Sequence, residues 1–236
     1  MARSPIWRAI ADTLTAEIAR AHYGPGDRLP TEAELAGRFG VNRHTVRHAL
    51  AALADQGLIH TRRGSGAFVA ARPTDYALGR RTRFHQNLAA AGLSPGRELT
   101  RRETRPCDAG EAAALNLPPG TAVHVIEGIS LADGMPVATF RSVFPADHLP
   151  GLLARLEDTV SITAALAAEG VADYTRASTR LTAIAAPATL ALALRLPEGA
   201  PILRSTSVNI DPSGRPLEFG TTWFAGDRVT LTVTPD

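Results

Sequence analysis

Lysine is missing from these 236 residues, so all 25 side chains of the Lys and Arg class are arginines. That rules out a phosphate loop of the lysine-dependent kind, and the turn Gly64-Ser65-Gly66 is too short to form one. Cysteine occurs once, at Cys107, which excludes an internal disulfide. Nothing in its neighbourhood is of a kind to ionise the thiol, so it reads as inert. Apolar runs are short or interrupted, too much so to span a bilayer, and the opening Met1-Ala2-Arg3-Ser4-Pro5-Ile6-Trp7 lacks the apolar core of a secretion signal. A reducing cytoplasm is the expected compartment, with no membrane partner.

Hydrophobic residues make up 44% of the chain, enough for packed cores, and the length suits one small domain followed by a larger one. Charge is unevenly spread. Residues 1–72 hold ten arginines against six acids, and the remainder holds fifteen against seventeen. A cationic first third points to a polyanionic partner.

Within that third, Ile6, Ile10, Leu14 and Ile18 recur at helical spacing after Pro5, with Ser4 as the expected cap. Gly24-Pro25-Gly26 ends this helix. Thr31 then opens a second helix, with Glu34 completing a capping box and Leu35, Ala36 and Phe39 facing inward. Gly40 turns the chain with positive φ, and Asn42 caps a third helix that buries Val46, Leu50 and Leu53 and stops at Gly57. Between Asn42 and Leu50 this third helix carries no acid, and Arg43, His44, Arg47 and His48 lie on its outer side. An apolar stripe opposite a cationic face suits the major groove of double-stranded DNA. One of Arg43 and Arg47 is expected to reach guanine O6 and N7 and the other mainly phosphate, with the assignment open. Asn42 and Thr45 are expected to hold phosphates. Strands around Leu58–Arg63 and Ala67–Ala70, joined at Gly64-Ser65-Gly66, form a basic wing with Arg62 and Arg63. Arg28 and Thr31 complete the expected DNA-facing set. His44 and His48 stand four apart, but no carboxylate or third histidine supports them, so no metal and no cofactor is expected.

This winged helix-turn-helix is expected to fill residues 1–71, followed by a linker at 72–80 and a second domain at 81–236. There the patterns predict strands Thr100–Arg105, Ala122–Ala132, Pro136–Phe144, Tyr174–Ile184, Pro201–Ile210 and Pro216–Phe224. Helices are expected at Arg83–Ala91, Ala109–Leu115, Thr159–Glu169 and Pro187–Leu194. Hairpins mixed with helices make this an α+β domain built on an antiparallel sheet. Ala109–Leu117 and Pro187–Leu196, both alanine-rich and followed by proline and a strand, suggest two similar halves.

Leu29-Pro30-Thr31-Glu32 through Leu35-Ala36, Gly40 through Leu50, Gly57-Leu58-Ile59 and the Gly64-Ser65-Gly66 wing together resemble the GntR family of bacterial transcription regulators. The remainder resembles the UTRA effector domain of the HutC subfamily, a fold related to chorismate lyase. The segments that carry this are Ala132-Asp133-Gly134-Met135-Pro136, Pro216-Leu217-Glu218-Phe219 and Phe224-Ala225-Gly226-Asp227-Arg228. Arg80 through Leu88 and Gly170 through Arg176 are most similar to the subfamily's regulators of phosphonate uptake and breakdown. The resemblance implies DNA contacts from Asn42, Arg43, His44, Thr45, Arg47 and the wing, without the arginine that many relatives carry where this chain has Ala33. It implies a ligand-facing acid at Glu218 and an aromatic lid at Phe224. Relatives that bind sugar phosphates use arginines on the strand where this chain has Glu127-Gly128-Ile129-Ser130, which implies a different ligand.

For that ligand the residues offer several candidates. Arg83, Phe84, His85 and Asn87 begin a helix suited to a phosphonate or phosphate. Ser161 and Thr163 begin another, and Tyr174 lies in the phosphonate-type segment. Arg141 is a charge on a predicted strand, facing either a cavity or solvent. The reading is a repressor, homodimeric so that two heads meet an inverted-repeat operator, controlled by a small anionic effector. A sugar phosphate or an imidazole metabolite is the alternative effector. A lyase-like enzyme is the alternative class, and it lacks a nucleophile–base pair, a metal triad and paired carboxylates.

Overall fold

The computed structural model describes residues 5–62, 66–70, 73–81 and 84–233. The chain divides into two compact units, Met1–Arg72 and Pro73–Asp236.

In the first unit, α1 (Ile6–Ala19), α2 (Glu32–Phe39) and α3 (Arg43–Asp55) accompany a hairpin of β1 (Ile59–Arg62) and β2 (Gly66–Val69). α1 starts after Pro5 with no side-chain cap, and the expected cap Ser4 lies outside the described residues. Ile10 and Leu14 are buried, whereas Ile6 in the first turn is exposed. The Thr31–Glu34 capping box forms as its spacing demands, a device worth about 1 kcal/mol. Gly40 follows at φ 64°, which lets Val41 N–H return to the Ala36 carbonyl at 3.1 Å. Two residues later Asn42 caps α3. That helix buries Val46, Ala49, Leu50 and Leu53, so its stripe fixes which residues face outward. The segment after Gly24-Pro25-Gly26 is more than a stop. Leu29 N–H bonds Ala67 O at 2.8 Å and Val69 N–H bonds Asp27 O at 2.9 Å, adding a short extended segment to the hairpin.

The second unit is built on an antiparallel sheet in the order β4-β5-β6-β9-β8-β7. Its strands are β4 (Pro95–Pro106), β5 (Ala122–Ala132), β6 (Met135–Pro145), β7 (Thr175–Ala185), β8 (Pro201–Ile210) and β9 (Pro216–Ala225). Two similar halves are present: β4, α5 (Ala109–Leu115), β5, β6 and then β7, α8 (Ala188–Leu194), β8, β9. Both helices end on a left-handed residue, Asn116 at φ 53° and Arg195 at φ 53°, and each is followed by Leu-Pro. The halves meet where β6 pairs β9.

Alternation along the strands assigns two faces. On one, α5 packs Ala112 and Leu115 against Val123, Val125 and Val143, and α8 packs Ala191 and Leu194 against Ile202 and Trp223. On the other, α6 (Leu152–Asp158) and α7 (Ile162–Ala168) cover Ile126, Phe140 and Phe144. That face also carries α4 (Phe84–Ala90) and a parallel pair, β3 (Thr74–Ala77) with β10 (Val229–Thr232), which enclose Tyr76, Leu88 and Phe224.

Two sequence expectations change. Residues 72–80 are not all linker, because Thr74–Ala77 is a strand held by Val229–Thr232 and buries Tyr76. Pairing with a partner 155 positions away overrides a loop-like composition, a partner that local pattern does not reveal. The structure also adds α6, β10 and the one-turn 3-10 helix Ala146–His148 to the expected elements.

Candidate nucleic-acid interface and effector site

The outward face of α3 presents Arg43, His44, Arg47 and His48, all exposed. Each is held differently. Arg47 Nε donates to Glu32 Oε1 at 3.0 Å and its Nη2 donates to Oε2 at 2.7 Å. These bonds hold the Glu32 carboxyl below the usual carboxylate range. His48 stacks on Trp7, with ring centroids 4.3 Å apart and planes at 21°. Arg43 makes no ion pair with a described residue. Asn42 Oδ1 accepts from Thr45 N–H at 2.8 Å and from Thr45 Oγ1 at 3.0 Å, so the polar atoms expected to hold phosphate also close the cap. Thr31 is committed likewise, its hydroxyl donating to Glu34 Oε2 at 2.8 Å. Arg28 is exposed, bridges Phe68 through its backbone and lies over Gly66. Arg62 ends β1, and Arg63, Gly64 and Ser65 lie outside the described residues, as does the Arg62 side chain.

In the second unit a polar cluster gathers on the sheet face that carries α4 and α7. Ladder partners Arg97↔Ser130, Gly128↔Phe140, Ser142↔Gly220 and Asn209↔Glu218 set its members on one side. Glu218 accepts from Ser142 Oγ at 2.6 Å and from Asn209 Nδ2 at 2.6 Å, and Asn209 Oδ1 accepts from Arg176 Nε at 3.2 Å. Thr163 Oγ1 and Tyr174 OH lie 3.2 Å apart. Arg97 is the anomaly. Its guanidinium lies between the rings of Phe140 (4.7 Å) and Phe84 (5.4 Å), and its buried Nε has no hydrogen-bond partner. Burial lowers its pKa, with Tyr76, Glu218 and Tyr174 opposing that shift. Burial likewise pushes the Tyr76 phenol up.

Of the residues expected at the effector site, Phe84, Thr163, Tyr174 and Glu218 belong to this cluster. Asn87 borders it, with Nδ2 donating to Ala77 O at 3.0 Å. Ser161 accepts from Ala164 N–H at 3.2 Å as the cap of α7. Arg83 and the His85 side chain lie outside the description. Two expectations are corrected. Arg141 pairs across the ladder with Glu127 on the opposite sheet face, where its Nη2 bonds Glu111 at 3.2 Å, because its neighbours Phe140 and Ser142 take the cluster side. Phe224 is 3% exposed and packs on Tyr76 at 5.2 Å, a core ring and not a lid.

Arg97, Tyr76, Ser142, Asn209, Arg176 and Glu32 were not singled out from sequence. A signal existed for Arg97, since period-two alternation sets Pro95, Arg97 and Leu99 on one side, but the predicted strand began at Thr100. Among the described residues there is no cluster of three metal-ligating side chains, and no helix is long and apolar enough to cross a membrane.

A winged helix-turn-helix with an outward cationic helix, carried with a sheet unit that gathers polar groups around a half-buried arginine, defines a ligand-responsive DNA-binding transcription regulator. Residues 7–69 match the model of the bacterial regulatory proteins of the gntR family, and residues 90–230 match the UTRA domain. The chain belongs to the GntR family, in its HutC-type branch with a UTRA domain. It is 39% identical over 97% of its length to the HTH-type transcriptional regulator RB1450 of Rhizobium meliloti (strain 1021), covering 94% of that protein. It is 32% identical over 96% of its length to the transcriptional regulator PhnF of Escherichia coli (strain K12), covering 94% of it. The crystal structure of PhnF from Mycobacterium smegmatis superposes with a TM-score of 0.68 at 28% identity, over 97% of this chain and 98% of that one. These relatives are transcriptional regulators, and this chain is one too, not an enzyme.

Proposed function

We propose that the protein is a homodimeric repressor whose grip on an inverted-repeat operator is governed by a small anion of the phosphonate or phosphate class. The supporting observation is Arg97. Arg97 is partly withdrawn from water, its buried Nε has no hydrogen-bond partner and it makes no ion pair with a described residue, and its planar fork of donors suits a phosphonate, phosphate or carboxylate oxygen pair.

The neighbouring strand agrees. At Gly128 a Cβ would meet Glu98 O at 2.3 Å and the Phe140 ring at 2.9 Å, so no side chain fits there. The ring that fills this space is the one on which Arg97 lies. The cation therefore comes from β4 and not from β5. PhnF relatives favour the phosphonate side of the class. An anion that binds one arrangement of the dimer better than another shifts operator affinity by that difference, typically about 1–3 kcal/mol. The regulator acts in the cytoplasm, where its operator lies.

Thermal unfolding of the full chain with methylphosphonate, inorganic phosphate, glucosamine 6-phosphate and neutral glucosamine tests this reading. Stabilisation by methylphosphonate or phosphate, with a matching change in operator binding, supports it. Stabilisation by glucosamine 6-phosphate alone replaces the ligand class, and no response to any anion overturns the proposal.

A further inference from the structure

The cluster face of the sheet holds two opposite charges that do not meet. Arg97 lies between Phe140 and Phe84 with its buried Nε unpartnered. Glu218 accepts from Ser142 and Asn209 and, like Arg97, makes no ion pair with a described residue. We propose that the effector is a zwitterion, an aminoalkyl phosphonate whose oxyanion meets Arg97 and whose ammonium meets Glu218. The inference rests on the reading of this face as the effector site and names the class of ligand within it.

Asn209 stands between Glu218 and the cation Arg176. Its Oδ1 accepts from Arg176 Nε at 3.2 Å, and its Nδ2 donates to Glu218 Oε2 at 2.6 Å. Ser142 Oγ donates to Glu218 Oε1 at 2.6 Å. Both donors to Glu218 are neutral, so they satisfy lone pairs without supplying a counter-charge. Gly220 opens the floor beside them, in register with Ser142 on one side and Ser207 on the other. A Cβ there would stand 3.3 Å from Ser207 Oγ and 3.5 Å from Glu218 Oε1, so the glycine leaves both oxygens uncovered. With Ser142 Oγ bonded to that same Oε1, three oxygens border the space above Gly220, and an ammonium has three N–H donors to offer them.

Spacing agrees with a short ligand. Phe140 and Ser142 stand two residues apart on one side of β6, about 7 Å along the strand. The Arg97 guanidinium lies over the Phe140 ring and the Glu218 carboxylate holds Ser142, so a short carbon chain bridges cation and anion. A ligand that is only an anion brings its charge at Arg97 toward Glu218, and like charges repel. An ammonium at the far end of the same molecule turns that repulsion into attraction. A hydroxyl in its place still donates a hydrogen bond, but the weaker kind made between a neutral group and a charged one.

The test is isothermal titration of the full chain with 2-aminoethylphosphonate, ethylphosphonate, 2-hydroxyethylphosphonate and β-alanine at one pH and salt. The amine is expected to bind roughly 10- to 150-fold more tightly than ethylphosphonate, the range of a charge-assisted hydrogen bond. Glu218→Gln, which keeps the shape of the side chain, is expected to erase that ratio while ethylphosphonate binding holds or tightens. Gly220→Ala is expected to lower the same ratio by covering the oxygens, with Glu218 still in place. Arg97→Met is expected to lose every phosphonate. Wild-type circular dichroism spectra show that the variants are folded. Ethylphosphonate or 2-hydroxyethylphosphonate binding as tightly as the amine overturns the zwitterion and leaves the anion reading standing, as does a ratio unchanged in Glu218→Gln. β-Alanine binding more tightly than 2-aminoethylphosphonate overturns the proposal in favour of a carboxylate. No binding of any phosphonate overturns both the zwitterion and the reading beneath it.

Discussion

Replacing Arg97 by methionine removes the unmatched cation while keeping a long unbranched side chain between Phe84 and Phe140. Without ligand the exchange relieves the desolvation of a guanidinium whose Nε has no partner, at the loss of two cation–π contacts of roughly 0.5–2 kcal/mol each. Replacing a buried ion pair by apolar groups of similar size is often neutral or stabilising by about 1–4 kcal/mol, and a guanidinium only partly withdrawn from water lies at the low end of that range. The two terms offset, so without ligand the net change is expected to stay within about 1 kcal/mol, or roughly 2–4 °C in Tm for a unit of this size. With methylphosphonate at 100 times its Kd the wild type gains about 2.7 kcal/mol, whereas the variant gains nothing. The two melting curves should therefore lie close together without ligand and separate with it, the wild type melting higher. Calorimetry at one fixed protein concentration reads this directly. A variant that keeps the ligand shift refutes the reasoning.

Glu111→Gln strikes the opposite sheet face, where the buried carboxylate accepts from Arg105 at 2.7 and 2.8 Å, Arg141 at 3.2 Å and Asp108 N–H at 2.9 Å. With both arginines partly exposed, the loss is expected to be about 2 kcal/mol in urea unfolding near neutral pH. The Arg105 hydrogen bonds hold the Glu111 pKa below its ordinary value, so this stabilisation is complete above the ordinary carboxylate range and fades as pH falls below it. The gap between variant and wild type should narrow on acidification, and a gap independent of pH counts against the account. Arg43→Ala should weaken operator binding at fixed salt, since this exposed arginine on α3 meets either a base edge or a phosphate, and an unchanged affinity in a gel-shift titration excludes both contacts. Leu53→Ala, at a position with no exposure in the core of the first unit, should cost about 2–5 kcal/mol by circular dichroism melting.

The DNA-reading unit was the more legible part because its signals are local. Thr31 and Glu34, Gly40 and Asn42 lie within a few residues of what they specify, and each takes the predicted role. The inner strands of the sheet were similarly readable, with Ala122–Ala132 and Pro201–Ile210 found at their expected bounds. The effector cluster was less legible, since it depends on register. Whether Arg141 or Ser142 meets Glu218 is decided by the β6–β9 pairing, and one step along a strand exchanges the faces. Arg228 shows the same limit. It stands in a segment quoted for its resemblance to effector domains, yet its guanidinium is buried and bonds Pro136 O at 2.5 Å and Leu194 O at 2.7 Å, where it fastens the end of α8. Glu32 went unnoticed because its partner Arg47 comes from another helix, fifteen positions on.

The two-part sheet has one consequence for signalling. Ser142 stands on β6 and Glu218 on β9, so their 2.6 Å bond crosses the line where the two similar halves meet. A guest that competes for either partner exchanges that side-chain link for its own, while the backbone ladder from Ala138↔Phe224 to Val143↔Phe219 keeps the two halves joined.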